Sequence, residues 1–527
     1  MSMLSAAIGL FAKARMAKIR RLYRDPARVQ RDTLKRLLRA ARDTEWGQKY
    51  DYASIQDIRT YQARVPLSTY LDFRPIWDRY FSGQTDLTWP GRPGYFAKTS
   101  GTTAGDKYIP LSEEAVASHQ RAGVDCLVFA LHRSGRRDAL DGRLFFLGGS
   151  TSLQHREFGI RVGDLSGVMS QRIPFPFRGR YLPGRDVALM EDWEFKIAVM
   201  AKQAIDQDVR LIAGMPSWMI VLLMKLLEEH ERRFSWRPDS LAEVWPNLQL
   251  YIHGGVDFRP YRSFIEELIG RPLDLLEVYP ASEGFVAIQD RGPGEGMLLM
   301  LDYGIFYEFV PVSELATSAP RRLTAAEVEL DVPYAVYLTT NSGLWSYALG
   351  DVVKFVTRDP PRLLIIGRTS QWVNAFGENV IVEEVEGAIV HACRNAGAGI
   401  VDFTVAPDYA SIEDPLPRHQ WAVEFRHCPG DLSRFAYDLD EHLQARNTDY
   451  RTHRCRDVAM APPLITIVEP GTFREWLRDR HKLGGQHKIP RVTNSREIID
   501  EVLRISVRMG GMADHAASSA SRSLRTM

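Results

Sequence analysis

The chain has 527 residues, 45% of them hydrophobic and 25% charged, enough to bury a large core without disulfides or structural metal; peptides, small scaffolds and single modules are excluded. Its 67 Lys and Arg balance 66 Asp and Glu to a net charge of +1, which leaves no global field to hold nucleic acid or an anionic membrane. The four cysteines, Cys126, Cys393, Cys428 and Cys455, include no pair at zinc-ligand spacing and fit a reducing, cytoplasmic setting, and the nearby His391, His427 and His453 read as packed residues.

From the N-terminus, residues 3–12 are apolar over the length of a signal-peptide core, but Lys13, Arg15, Lys18, Arg20 and Arg21 follow where an export signal would have them precede. Apolar positions recurring through Tyr23 predict an amphipathic helix packed on the body, and residues 1–82 as a whole read as a mainly helical arm. No stretch approaches the ~20 apolar residues of a spanning helix. Between about 95 and 366, strand-like runs at 144–147, 209–213, 248–252 and 274–279 alternate with helical stretches at 113–132, 217–232 and 259–268. That alternation predicts a parallel α/β body. After Tyr303 shorter strands at 305–310, 334–339 and 352–356, separated by Pro and Gly turns, predict a small antiparallel β subdomain.

A break at Ile366-Gly-Arg-Thr369 separates this large N-terminal domain, 1–366, from a small α+β C-terminal domain, 367–510, with helices near 383–394 and 432–445 and strands near 400–406 and 421–426, and the Gly-Arg junction is where a hinge between them is expected. Residues 511–527, rich in Ser, Ala and Arg without periodicity, read as a disordered tail. The oligomeric state is not written in the sequence.

The sharpest chemical signal is Thr99-Ser-Gly-Thr-Thr-Ala-Gly-Asp-Lys107 after the strand-like Tyr95-Phe-Ala97. Glycine-freed amides and short hydroxyls can wrap a polyphosphate. Its glycine spacing is not that of a Walker loop, and no Lys-Ser/Thr pair follows the second glycine. Three further segments are turn signals when read singly: Tyr279-Pro-Ala-Ser-Glu-Gly284, Tyr347-Ala-Leu-Gly-Asp351 and Gly367-Arg-Thr-Ser-Gln-Trp-Val-Asn-Ala-Phe-Gly-Glu378. A carboxylate just past a strand end suits Mg²⁺, and an aspartate after a glycine turn can accept from two ribose hydroxyls; a solvated acid in a loop is the plain alternative.

Order and spacing join them. With Ala41-Arg-Asp-Thr-Glu-Trp-Gly47, Val65-Pro-Leu-Ser68, Phe306-Tyr-Glu-Phe309, Pro470-Gly-Thr-Phe473 and Gly484-Gly-Gln-His-Lys-Ile-Pro-Arg491, the segments span about residues 40–495. The chain resembles the adenylate-forming superfamily, and within it the Gretchen Hagen family of acyl-acid amido synthetases, the auxin-responsive enzymes of plants and their bacterial relatives.

The resemblance implies a ligase that uses ATP and Mg²⁺ to join a small carboxylic acid to AMP, and then passes the acyl group to an amino acid or other amine. It also implies a large N-terminal adenylate-forming body with a small mobile C-terminal domain, and it implies roles. Thr99, Ser100, Gly101, Thr102 and Thr103 would hold phosphates, Tyr279 would line the adenine, Ser282 would assist at the phosphate, and Glu283 would ligate Mg²⁺. Asp351 would take the ribose hydroxyls, Arg368 would approach the ribose from the hinge, and Lys488 would be the catalytic lysine of adenylation. Ser166, within Arg161-Val-Gly-Asp-Leu-Ser-Gly167, and Val278 are the substrate-side candidates; Val278 belongs with Trp218, Phe258 and Phe285 to a mixed set that fits an aromatic or medium-chain acid and equally an ordinary core. Position 348 is Ala where the family pattern carries arginine. Aryl-CoA ligases share the Val-Pro-Leu and Ser-Gly-Thr-Thr segments, so an acyl- or aryl-CoA ligase, or an enzyme loading carrier proteins, is the alternative reading.

Overall fold

The computed structural model describes residues 3–100, 106–148, 153–173, 175–190, 193–255, 258–315, 317–369, 372–373, 375, 378, 380–408, 416–447, 450–451, 454, 460–480, 488–493 and 495–523. They form two compact units. The first comprises the chain up to residue 255 and Ile265–Ile365; the second takes residues 258–264 and the chain from Ile366 on. Among the described residues no helix is long and apolar enough to cross a membrane.

The first unit opens with the helical arm: Met3–Leu22, Pro26–Ala41, Glu45–Lys49, Ile58–Arg64 and Tyr70–Phe81. The first helix buries Ala12, Met16 and Ile19, three to four residues apart as one helix face requires. Arg15 lies on the same face and is buried with both ends of its fork filled, donating to Asp125 at 2.8 Å and to Asp302 at 2.7 Å. In the second helix, capped by Asp25, the Gln30 amide donates to the Ile305 carbonyl at 3.1 Å and accepts from the Tyr307 amide at 2.9 Å. The arm is thus bonded to the sheet as a strand would be.

Among the described residues the strands that follow are β1 (Tyr95–Ser100), β2 (Asp106–Leu111), β3 (Arg143–Leu147), β4 (Gln154–His155), β5 (Arg161–Gly163), β6 (Tyr181–Leu182), β7 (Val209–Gly214), β8 (Leu250–Gly254), β9 (Asp274–Ala281), β10 (Gly284–Ile288), β11 (Met297–Leu299), β12 (Ile305–Pro311), β13 (Pro333–Thr340), β14 (Tyr347–Arg358) and β15 (Pro361–Arg368). A small sheet has the order β2-β1-β5-β4, and a large one runs β12-β13-β14-β15-β11-β10-β9-β8-β7-β3-β6. From β9 to β6 the large sheet is parallel, as the alternation of elements predicts. Antiparallel pairing begins at β10, ahead of the position after Tyr303 expected from composition. The reason is the connection: two residues, Ser282 and Glu283, join β9 to β10, too few for a parallel crossover. Helices Glu113–Ser134 and Pro216–Phe234 line their buried faces with Ala122, Cys126 and Phe129, and with Met219, Leu222, Leu223 and Leu226.

The second unit continues with β16 (Trp372–Val373), β17 (Val380–Ile381), helix Val382–Ala396, β18 (Gly399–Asp408), β19 (Arg418–His427), helix Leu432–Arg446, β20 (Leu464–Ile467) and helices Thr472–Asp479 and Glu497–Ser523. Its sheet runs β18-β19-β20. Alternation along the strands gives it two buried faces. Phe403, Val405, Trp421 and Val423 meet Val385, Ile389, Phe435 and Leu439 of the two central helices, whereas Ala406 and Ala422 meet Phe473, Trp476, Ile499 and Val502. The last helix is Glu497–Ser523.

Candidate active site

The parallel strands end along one edge of the large sheet, where open α/β sheets place their ligands. At that edge β9 turns into β10 through Ser282 and Glu283, with Ala281 paired to Gly284. Ser282 is buried and Glu283 is half-buried. Tyr279, two residues back from the end of β9, is buried and its hydroxyl donates to Asp351 Oδ2 at 2.5 Å. Asp351 lies in β14, four strands away from β9 in the sheet order. The sequence reads it as following a turn; in the structure it belongs to a bulge, in which residues 349–351 stand opposite Val336 alone and Gly350 takes φ +86°. A side chain at Gly350 would be strained there.

The segment carrying Asp351 is braced from several directions. Ser68, from the Val-Pro-Leu-Ser segment, bonds to the start of β14 through its amide to the Ser346 carbonyl (2.9 Å) and its carbonyl to the Ala348 amide (2.8 Å). Glu308, from Phe306-Tyr-Glu-Phe309, is fully buried and accepts from Arg322 at 2.8 Å and from the Ser346 hydroxyl at 2.7 Å. Two of the nine segments therefore act as scaffold for a third.

Of the Thr99–Lys107 stretch, Thr99 and Ser100 end β1 and Asp106 and Lys107 open its antiparallel partner β2, with Thr99 paired to Lys107 and Ser100 to Asp106. Thr99 is half-buried; Gly101, Thr102 and Thr103 lie outside the described residues. After β2, Ser112 caps the helix Glu113–Ser134, accepting from the Ala115 amide at 3.0 Å. That helix carries a residue the sequence reading missed. His119 is buried, and burial pulls it down to about 4 despite a hydrogen bond with the Ser282 backbone, so the ring is neutral and holds the turn bearing Glu283.

Ser166 sits in the short helix Leu165–Ser170, in a cavity shared with Phe146, Gly148, Tyr181, Ala188 and Lys196. A Cβ on Gly148 would stand 2.8 Å from that of Ser166, so glycine there admits the close approach. Lys196 was also missed. It is 1% exposed and donates to the Ala188 carbonyl at 2.8 Å, and burial, only partly offset by Asp164, lowers it to about 8. Val278 lies in β9 beside Gly254 of β8 and Ile288 of β10, inside the core of the first unit with Phe285, while Phe258 is buried in the second unit.

In the second unit Arg368 ends β15 half-buried, and Lys488 is exposed; residues 484–487 of its motif lie outside the described residues. Other motif residues prove structural. Glu378 is fully buried 2.6 Å from His419, and although burial opposes it, His419 and the Ala375 amide hold its carboxyl down to about 2. In Pro470-Gly-Thr-Phe473 the amides of Gly471 and Phe473 donate to Glu424 at 2.8 and 3.2 Å, placing a carboxylate at the start of helix Thr472–Asp479. Cys126, Cys393 and Cys428 are free thiols, and His453 and Cys455 lie outside the described residues.

Comparison with known proteins follows the same lines. Models described as the GH3 family N-terminal, central and C-terminal domains match residues 15–183 and 160–274, 298–368 and 383–497, respectively. Indole-3-acetic acid-amido synthetase GH3.3 of Arabidopsis thaliana is 20% identical over 550 residues, covering 90% of each chain. Jasmonoyl-L-amino acid synthetase GH3.5 of Oryza sativa subsp. japonica is 24% identical over 570 residues, covering 90% of this chain and 93% of its own. Among solved structures, AtGH3.15 acyl acid amido synthetase in complex with 2,4-DB superposes with a TM-score of 0.77 at 17% identity, covering 94% of this chain and 96% of that one. A 2-hydroxyisobutyryl-CoA ligase in its postadenylation state gives 0.53 at 16% identity over 90% of both chains. At such identities the structural likeness speaks for the fold.

Proposed function

The chain belongs to the GH3 (Gretchen Hagen) family, and on that premise we propose that it is an ATP-dependent acyl-acid amido synthetase. In the first step a carboxylate oxygen attacks the α-phosphorus of ATP and pyrophosphate leaves, giving acyl-AMP. In the second an amino acid or other amine attacks the acyl carbon, AMP leaves, and the amine loses a proton as the amide forms.

The observation that carries this reading is the 2.5 Å contact between Tyr279 and Asp351. Residues 72 positions apart in sequence meet at the carboxyl edge of the sheet, with an aromatic ring to lie along a base and a carboxylate to accept from ribose hydroxyls. The end of β1 supplies Thr99 and Ser100 as the described part of the phosphate loop, with Gly101, Thr102 and Thr103 completing it, and Ser282 stands beside the phosphates.

Mg²⁺ fits the donor set. Among the described residues no three His, Cys, Asp or Glu gather as a cage, whereas Glu283 offers a single half-buried carboxylate at a fixed turn. One carboxylate completed by phosphate oxygens is the coordination Mg²⁺ takes with nucleotides. Bound there, the ion would neutralise charge on ATP. Lys488 supplies a second positive charge for the oxygens that become more negative as the α-phosphorus is displaced, and Arg368 approaches the ribose.

The test is pyrophosphate release from Mg-ATP with a panel of carboxylic acids, with and without pooled amino acids or coenzyme A. Release that rises with amino acids, with an amide seen by mass spectrometry, is expected. Turnover supported by coenzyme A alone would move the protein to the thioester-forming branch.

A further inference from the structure

Three residues after Lys488 stands Arg491, which is 8% exposed. Its guanidinium donates to the Asp402 carboxylate, to the Tyr261 hydroxyl and, at 3.2 Å, to the Phe403 carbonyl. Glu386 Oε1 lies 3.9 Å from Nε, and the Phe403 ring centre 4.6 Å from the guanidinium carbon. Two acids, a phenol, a carbonyl and an aromatic face thus enclose one cation within the second unit. Burying a guanidinium is costly, and a well-packed apolar side chain is often as stabilising. What the cluster adds is a fixed direction for the chain that carries it.

The backbone around Arg491 is fixed as well. The Pro490 carbonyl accepts from the Thr404 hydroxyl at 2.7 Å, the Val405 amide donates to the Arg491 carbonyl at 2.9 Å, and the Thr493 amide donates to the Val405 carbonyl at 3.0 Å. Val492 pairs with Val405 as a parallel bridge. Ile489 is buried in the layer that holds Ala406, Ala422, Phe473 and Trp476. Residues 489–493 therefore run along the outer edge of β18, and Lys488 is the exposed residue immediately before the first anchored one. From Arg491, three residues of extended chain reach about 10 Å.

We propose that Arg491 is the positioning residue for Lys488, the buried cluster Arg491–Asp402–Glu386–Tyr261 setting where that lysine emerges. This rests on the reading of Lys488 as the adenylation lysine. A small displacement of a reacting or stabilising group costs up to about 10²-fold in rate, so the anchor acts on kcat of the first step and leaves ATP binding nearly unchanged.

The experiment compares Arg491→Lys, Tyr261→Phe, Lys488→Ala and the double variant Arg491→Lys/Lys488→Ala in the whole chain, reading pyrophosphate release and amide formation from supplied acyl-AMP separately. Arg491→Lys keeps the charge and loses the fork; its adenylation kcat is expected to fall about 10- to 100-fold with the KM for ATP little changed and amide formation intact. In the Lys488→Ala background the same substitution should cost nothing more, because it acts through the missing lysine. Tyr261→Phe removes one hydrogen bond and no charge, gives a smaller loss of the same pattern, and stands in if Arg491→Lys does not fold. Equal loss of both steps, or additive losses in the double variant, would assign the cluster to folding alone and overturn the proposal. Lys488→Ala with full adenylation overturns the reading of Lys488 and this proposal together; Lys488→Ala impaired beside normal Arg491→Lys and Tyr261→Phe overturns only this one.

Discussion

The edge of the large sheet and the 488–493 segment present charged groups by different means. At the sheet edge, Tyr279, Ser282, Glu283 and Asp351 are placed by backbone ladders, a two-residue turn and a bulge, so position is shared among many hydrogen bonds. In the second unit Lys488 is exposed, and although residues 490–493 also bond along β18, the direction in which the lysine emerges is what we assign to a buried ionic cluster three residues away. Shared support tolerates the loss of one side chain; support concentrated in one cluster does not. The sheet edge should therefore lose function in small steps and the lysine segment in one large step.

The largest effect expected is that of Lys488→Ala. Losing one electrostatic donor of this kind costs about 10² to 10³ in rate, and because the side chain is exposed, thermal stability should not change. Stopped assays of pyrophosphate release, alongside amide formation from supplied acyl-AMP, check this. Equal loss in both assays would contradict a lysine acting in the first step alone.

Next in size is a pH effect at the sheet edge. His119 has its pKa lowered to about 4 by burial, against an ordinary 6.5. The unfolded chain therefore binds the proton more tightly, and the stability contributed by the neutral ring is complete above 6.5 and lost as pH falls towards 4. Between pH 7 and 5 the loss from this one group is about 2 kcal/mol. Denaturant melts of the parent and of His119→Gln should differ in slope over that interval, the variant being the flatter; parallel curves would mean that the ring is not buried neutral against the Ser282 turn.

How much of this was legible in the sequence differs between the same regions. Alternating strands and helices announce the parallel body, and Tyr279-Pro-Ala-Ser-Glu-Gly284 marks its turn because small and polar residues follow a strand-like run. Asp351 was legible as a residue but not in its setting: Gly350 reads as a turn signal whether it closes a loop or, as here, relaxes a bulge within a twelve-residue strand. Buried polar residues were the hardest to find. His119 falls on the stripe of Ala115, Val116, Ala122 and Cys126, and Lys196 on that of Ile197, Met200, Ala201 and Ala204, while the neighbouring Phe195 is 59% exposed. Hydropathy alone assigns Phe195 and Lys196 the reverse way. The usable signal was a titratable residue in register with an apolar helix face. Arg491 carries no such signal, because its partners Asp402, Glu386 and Tyr261 are brought to it only by the tertiary fold.

Tyr279→Phe carries the smallest prediction and tests shared support directly. The substitution removes the hydrogen bond to Asp351 and keeps the ring that would lie along the base. Asp351 is half-buried, so water can take over the lost donor, and the net cost should be that of one ordinary hydrogen bond, about 1 kcal/mol, or roughly fivefold in the KM for ATP. Because β14 is held independently by Ser68, Glu308 and Arg322, Asp351 should not move, and kcat for both steps should stay near that of the parent. A fall in kcat comparable with that of Lys488→Ala would mean that the Tyr279 hydroxyl, and not the bulge, sets the carboxylate's place, and the contrast between a ladder-held edge and a cluster-held lysine would fail at its better-supported end.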